Sequence, residues 1–144
     1  MSAKPIIIDA SGLILGRLAS YVAKHALEGR EIVIINAEKA VISGKRKSIV
    51  QEAKNKLRTR TLGSQDKAPS HPRRADLYMR RVIRGMLPRR KSTGADAFKR
   101  IKVYIGVPEE FANKPTLKIS EAESLRLKNK YIAMEDLSSE IGKM

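Results

Sequence analysis

The chain has 144 residues, with 30 Lys or Arg against 15 Asp or Glu, and a formal net charge of +15 at pH 7. It has no cysteine and only two histidines, which excludes disulfides and thiolate metal sites and argues against a histidine metal cluster. No apolar run approaches the ~20 residues of a membrane-spanning helix, and the apolar run around Ile6 is too short for a signal peptide. We therefore expect a cytoplasmic protein that needs no metal or other cofactor.

The first predicted elements form a βαβ unit. Pro5 to Asp9 is a short, β-branched apolar run that predicts a buried strand. From Leu15 onward, apolar residues recur at helical spacing, and Gly29 is a plausible end of that helix. A second apolar run, Glu31 to Asn36, predicts another buried strand, parallel to the first. Residues 37 to 44 are interpreted as a connection.

Two basic helices are predicted in the middle of the chain. One runs from Lys45 to about Arg60, and a loop rich in Gly, Ser, Asp and Pro follows from 62 to 72. The other runs from Leu77 to Leu87, with Asp76 as its cap. At 100° per residue, its apolar side chains cover one side. The opposite side gathers Arg80, Arg81 and Arg84.

The elements that follow are shorter. Ser92 to Gly94 predicts a turn, and a short helix from Asp96 to Arg100 precedes a strand at Ile101 to Ile105. Ser120 to Glu123 fits a capping box before a short helix through Leu127. The residues after 128 have mixed composition and are expected to be peripheral.

The excess positive charge lies in one basic block, residues 45 to 102. This block has 19 Lys or Arg and four acids, whereas the rest of the chain has 11 of each. A neutral body that carries such a block is typical of proteins that bind a polyanion, and arginine suits phosphate because it binds in a bidentate fork. Aromatic residues, at 4%, are too few for extended base stacking, which favours phosphate contacts. We predict one nucleic-acid-binding domain over 1–115, then a C-terminal helix and peripheral tail over 116–144.

Short motifs between Ile6 and Phe111 follow the order of one protein family. They are Asp9-Ala10, Gly16-Arg17-Leu18-Ala19-Ser20, Val33 to Glu38, Gly44-Lys45, Arg84-Gly85-Met86-Leu87-Pro88 and Lys102-Val103-Tyr104 with Gly106 and Pro108. Together they resemble the universal large-subunit ribosomal protein thirteen family. The loop from Ala68 to Arg74 is similar to the archaeal and eukaryotic branch of that family.

The resemblance implies a fold and a role. The fold would be an α/β class, a three-layer α/β/α sandwich around a mostly parallel, about four-stranded sheet. The role would be structural: binding to large-subunit ribosomal RNA beside neighbouring large-subunit proteins, early in subunit assembly. No catalytic residue, membrane or small-molecule substrate follows from it.

The candidate RNA-binding residues are cations of the basic block, expected to contact phosphates. Three of them start a predicted helix, where free amides also favour phosphate. Arg17 belongs to a family motif and is either an RNA contact or an internal salt-bridge partner. The candidates are Lys45, Arg46, Lys47, Arg58, Arg60, Arg73, Arg74, Arg80, Arg81, Arg84, Arg89, Arg90 and Lys91.

Two alternatives stay open on these residues. A non-ribosomal protein that packs DNA or RNA would share the charge, and a DNA-packing protein would prefer B-form duplex. A small α/β enzyme that uses a nucleotide would need a catalytic site. Gly44-Lys45 lacks the other residues of the phosphate-loop motif, and the paired carboxylates Glu109-Glu110 and Glu135-Asp136 lie outside the basic block.

Overall fold

The computed structural model describes residues 4–59 and 61–142, the side chain of Arg126 excepted. Within these residues the strands are β1 (Ile6–Asp9), β2 (Ile32–Ile35), β3 (Val41–Ser43), β4 (Ile101–Val103) and β5 (Tyr131–Ala133). The helices are α1 (Leu15–Leu27), α2 (Arg46–Leu57), α3 (Ala75–Gly85), α4 (Ser92–Lys99) and α5 (Met134–Glu140). None of these helices is long and apolar enough to cross a bilayer.

A parallel sheet with the order β1-β2-β4 forms the centre of the fold. All four residues of β2 are buried, as expected for a strand that lies between two neighbours and is covered on both faces. A single parallel bridge between Ile8 and Leu117 extends the sheet beyond β1. The predicted α/β class and mostly parallel sheet are confirmed, and the fourth strand amounts to this bridge.

Helices α1, α3 and α4 pack on one face of the sheet and build the main core. The buried residues of α1 recur every three or four positions, as its periodicity predicts. Met79 and Ile83, one turn apart on α3, are fully buried against them. Burying a side chain of this size contributes about 1.5–3 kcal/mol, so this contact fixes how α3 is rotated about its own axis.

The opposite face of the sheet has a thinner cover. Ile7, Val33 and Ile35 form a small cluster there with Phe111 and the half-buried Tyr104. Phe111 comes from a single 3-10 turn, Glu109–Phe111, and its ring centroid lies 5.8 Å from that of Tyr104. The layer on this face is therefore a loop with one aromatic pair.

The C-terminal segment is part of the core, which corrects the expectation of a peripheral tail. β5 pairs antiparallel with β3, and α5 follows at once. Met134 and Leu137 are fully buried, and the Met134 N–H donates to the Ala40 carbonyl at 2.8 Å. The prediction of a plain connection at 37–44 is wrong for the same reason, since it contains β3. Strands of three residues are too short to show a period.

Two local predictions are also wrong. Ser92 to Gly94 form the first turn of α4 and not a separate turn. Gly94 is buried in this turn against the backbone of Pro88. The Ser120–Glu123 capping box does not form: this segment makes 3-10 turns, without a side-chain cap. It is held instead by backbone pairing, with the Ile14 N–H donating to the Ala122 carbonyl at 2.7 Å.

Candidate nucleic-acid interface

Helix α3 presents an arginine row because its other side is fixed in the core. Met79 and Ile83 point inward, so positions 80, 81 and 84 lie around the outward side. Arg81 is exposed, and Arg80 and Arg84 are half-buried by neighbouring side chains. The amphipathic pattern predicted for this helix is confirmed, although the helix begins two residues earlier than predicted.

Two of these arginines are held by the protein itself. The guanidinium carbon of Arg80 lies 4.3 Å from the ring centroid of Phe98 on α4, a cation–π contact. Arg81 Nη2 donates a hydrogen bond to the backbone carbonyl of Ser70, in the loop before α3. Both contacts leave further N–H donors of each guanidinium for a ligand, since arginine has five.

A tight loop after α3 carries two more arginines, Arg89 and Arg90. Its backbone closes on itself, with the Arg89 N–H donating to the Leu87 carbonyl at 2.8 Å and the Lys91 N–H to the Pro88 carbonyl at 3.0 Å. The loop rests on α4 where Gly94 has no side chain. Arg89 and Arg90 are exposed beside Arg84 as a result.

Three shallow grooves connect these side chains into one surface. The first, of about 310 Å³, runs between Arg80, Arg81 and Arg84. The second, of about 550 Å³, shares Arg84 with the first and adds Arg89 and Arg90. The third, of about 380 Å³, shares Arg80 with the first. We name the cations of these grooves the arginine surface: Arg80, Arg81, Arg84, Arg89, Arg90, Lys99 and Lys102.

Lys99 and Lys102 are not among the predicted site residues. Lys99 lines the second and third grooves, and Lys102 lines the third. Both lie in the basic block, so charge alone was a signal for them. Their place beside α3 follows from the contacts of α3 with β4 and of α4 with β4, which local sequence patterns do not reveal.

Arg73 and Arg74 border the arginine surface but are partly engaged within the protein. They line a groove of about 490 Å³ that also holds Ser70 and Leu77, which line the first groove. Arg74 forms an ion pair with Asp76 at 3.2 Å, and Arg73 Nη1 donates to the Gly142 carbonyl at 3.5 Å. They are flanking candidates rather than the centre of the site.

The candidates at the start of α2 line none of the three grooves. Lys45, Arg46 and Lys47 are exposed at the start of α2. Arg58 caps the other end of this helix, which has 12 residues and is therefore about 18 Å long. Arg46 Nη2 lies 2.6 Å from Glu140 Oε1 on α5, and this hydrogen bond and ion pair raise the pKa of Arg46. Arg60 lies outside the described residues.

Two further candidates lie away from the connected grooves. Lys91 is exposed at the start of α4 but lines none of the three grooves. Arg17 of α1 donates from Nη1 to the Glu121 backbone carbonyl at 3.1 Å and lines a different groove with Lys24 and His25. It is therefore tied to a carbonyl rather than to a carboxylate.

Carboxylates are scarce around the arginine surface. Among the described side chains, no Asp or Glu lies within 4.0 Å of Arg80, Arg81, Arg84, Arg89 or Arg90. The one acid that lines these grooves is Asp76, which already pairs with Arg74. Five guanidinium groups thus line connected grooves without an ion-pair partner among the described side chains, an arrangement that attracts an anionic partner.

Comparison with known proteins decides the family. Residues 3–110 match the family described as Ribosomal protein L13. The chain belongs to the L13 family. The match includes α2, α3, the Arg89–Arg90 loop, α4 and β4, and hence all seven cations of the arginine surface.

Archaeal relatives extend the likeness of this L13-family chain to nearly its full length. Each is named large ribosomal subunit protein uL13. The Methanosarcina barkeri protein is 48% identical over 138 residues, which cover 94% of this chain and 96% of the relative. The Methanopyrus kandleri protein is 45% identical over 139 residues (94% and 86%), and the Saccharolobus solfataricus protein is 40% identical over 138 residues (95% and 92%). The resemblance stated from the motifs is confirmed.

Proposed function

We propose that this chain is a structural constituent of the large ribosomal subunit and that its arginine surface binds the phosphates of large-subunit ribosomal RNA. The observation that carries the proposal is the cluster of five arginines without a carboxylate partner among the described residues. The names of the archaeal relatives supply the particle in which such a surface would act.

The physical basis is neutralisation of crowded phosphates. Where two RNA helices approach, their backbones repel, and cations between them replace weakly held counterions. Arginine is suited to this position because its planar fork meets two phosphate oxygens at once. Arg80 and Arg81 are already held by Phe98 and Ser70, so less side-chain freedom is lost on binding.

The proposed role is to hold RNA, not to make or break bonds. A rigid α/β scaffold that bridges RNA segments would act early in subunit assembly, before the particle becomes compact. We propose that it does so in the cytoplasm, on the ribosome, with other large-subunit proteins beside it. Arg73 and Arg74 would add contacts at the border of the arginine surface, and Lys45, Lys47, Arg58 and Lys91 would add contacts outside it. Arg46 would bind RNA only while it also pairs with Glu140.

Competition between nucleic acids tests this proposal. The protein is bound to a labelled transcript of archaeal large-subunit ribosomal RNA, and unlabelled transcript or duplex DNA of equal phosphate number is added. We expect the RNA to compete at least about tenfold better, because folded RNA offers closely spaced backbones that B-form DNA lacks. Equal competition would favour the alternative of a general DNA- or RNA-packing protein.

A further inference from the structure

The groove between Arg80, Arg81 and Arg84 has an apolar floor, which phosphate binding does not require. Leu77 is 44% exposed there, and Phe98 and Pro72 are half-buried beside it. Three apolar side chains, Pro72, Leu77 and Phe98, thus share the lining of one groove with the arginines, and an apolar part of a ligand would cover them. The ligand that suits this groove therefore has an apolar, planar part as well as negative charge.

Arg80 supplies a platform of the right shape. The guanidinium carbon of Arg80 lies over the Phe98 ring, 4.3 Å from the ring centroid. Arg80 also lines both the first and the third groove, so its side chain lies where these two grooves meet. Nucleobases stack on guanidinium planes as they do on aromatic rings, and the contact with Phe98 restricts the motion of the Arg80 side chain before a ligand arrives.

The groove has room for a single base. The groove has a volume of about 310 Å³, at the lower end of the roughly 300–1,000 Å³ that is usual for small-ligand sites. The loop wall of the groove is held in place by the hydrogen bond from Arg81 to the Ser70 carbonyl. Arg81 and Arg84 line the same groove as Arg80, which places two further cations beside an inserted base for the phosphates on either side of it.

We propose that this groove holds the base of an unstacked RNA nucleotide, stacked on the Arg80–Phe98 pair, while the neighbouring phosphates bind Arg81 and Arg84. The proposal rests on the proposed function, and it adds the kind of RNA element that is recognised. A base in a continuous A-form helix is stacked and paired. The element is therefore a bulge, a loop or a strand end. One platform suffices, which agrees with the low aromatic content of the chain.

Three RNA hairpins that differ at a single position test the inference. The first carries one bulged 2-aminopurine nucleotide, the second an abasic nucleotide at that place, and the third is fully paired. Affinities are measured at low salt, with 2-aminopurine fluorescence as a separate readout of stacking. We expect the bulged base to bind about 5- to 150-fold tighter than the abasic hairpin, the range typical of one stacked base, with quenched fluorescence.

Variants assign the effect to the groove. Arg80→Lys keeps the charge and removes the plane, and Phe98→Leu keeps apolar volume and removes the ring. Each should abolish the preference for the base while leaving the affinity for the abasic hairpin within about threefold. Arg30→Lys, at an exposed arginine outside the arginine surface, is the matched control and should keep the preference. If Phe98→Leu loses its cooperative thermal transition, Arg80→Lys alone decides.

The outcomes separate this inference from the proposed function. Equal affinity for the bulged and abasic hairpins, with strong binding to ribosomal RNA, would overturn the base-binding groove and leave the proposed function standing. A base preference that Arg80→Lys retains would also overturn it. Failure to bind the hairpins and ribosomal RNA alike, even at low salt, would contradict both.

Discussion

Gly94 and Pro88 lie in direct contact, and a Cβ atom on Gly94 would stand 2.1 Å from the Pro88 carbonyl oxygen. The contact joins α4 to the loop that carries Arg89 and Arg90. Because the atom in the way belongs to the backbone, it cannot move aside as a flexible side chain would. The placement of two arginines of the interface thus depends on a missing methyl group.

Gly94→Ala should therefore lower the free energy of unfolding by about 1–3 kcal/mol, the usual effect of overpacking. It should also weaken RNA binding, since the Arg89–Arg90 loop must shift. Urea unfolding measures the first effect and RNA titration the second. Gly85→Ala is the matched control: nothing lies within 4 Å of its Cβ position, and alanine favours helix by about 1 kcal/mol. A Gly94→Ala protein as stable as the wild type would contradict the packing described above.

Position on the surface, and not charge alone, should decide RNA affinity. Changing Arg80, Arg81 and Arg84 together to Ala removes three charges from the arginine surface, whereas changing Lys45, Arg46 and Lys47 to Ala removes three from the start of α2. We expect the first variant to lose at least about tenfold more affinity for ribosomal RNA, and its salt dependence to fall by about one unit of slope per lost contact. Equal losses of affinity in the two variants would show that RNA binding depends on the total charge and not on the position of the cations. If the first variant lacks a thermal transition, its arginines are structural.

The C-terminal segment should be required for folding. Leu137 of α5 is fully buried in a cluster with Ala53 and Ile132. Leu137→Ala should therefore lower the free energy of unfolding by about 2–5 kcal/mol. Leu125, 90% exposed in the same segment, is the control, and its change to Ala should have an effect within about 0.5 kcal/mol. Removal of residues 116–144 should abolish the cooperative transition. A stable 1–115 fragment would instead support the predicted domain boundary.

Stability at acid pH should depend on Asp9, at the end of β1. Burial pushes its pKa upward, but hydrogen bonds from Ser11 and from Asn36 Nδ2, the latter at 3.1 Å, together with the charge of Lys118, lower the pKa below its ordinary 3.8. As the pH falls, Asp9 therefore takes up a proton in the unfolded chain before it does so in the folded protein. The stability that ionised Asp9 contributes is present above about pH 4, and it is lost as the pH falls through the lower pKa of the folded state. Asp9→Asn should be less stable than wild type at pH 6, with the difference shrinking below pH 4. A difference that stays constant down to pH 2 would contradict this assignment.

Local patterns were sufficient for the parts of the fold that repeat. The apolar runs of β1 and β2 and the periodicity of α1 and α3 are long enough to define a buried face, and each is confirmed. The arginine row of α3 follows from the same periodicity. These elements carry most of the core and the centre of the candidate site.

The parts that could not be predicted depend on contacts distant in sequence. Strands β3 and β5 have three residues each and become strands only by pairing with one another across about 90 residues. The Arg46–Glu140 ion pair joins α2 to α5, so Arg46, a predicted RNA contact, already has a partner within the protein. Lys99 and Lys102 join the interface because α3 and α4 meet β4. The charge pattern of the sequence identifies the basic block, but the tertiary fold determines which of its cations share one surface.

The central claim is that several arginines of one surface bind RNA phosphates at once. The most direct measurement is the equilibrium affinity for large-subunit ribosomal RNA as a function of salt concentration. With ~6–10 phosphates neutralised and about 0.7–0.9 of a unit per contact, the slope of log affinity against log salt should be about −4 to −9. A total slope near −1 would mean that one contact carries the binding, and it would contradict the account.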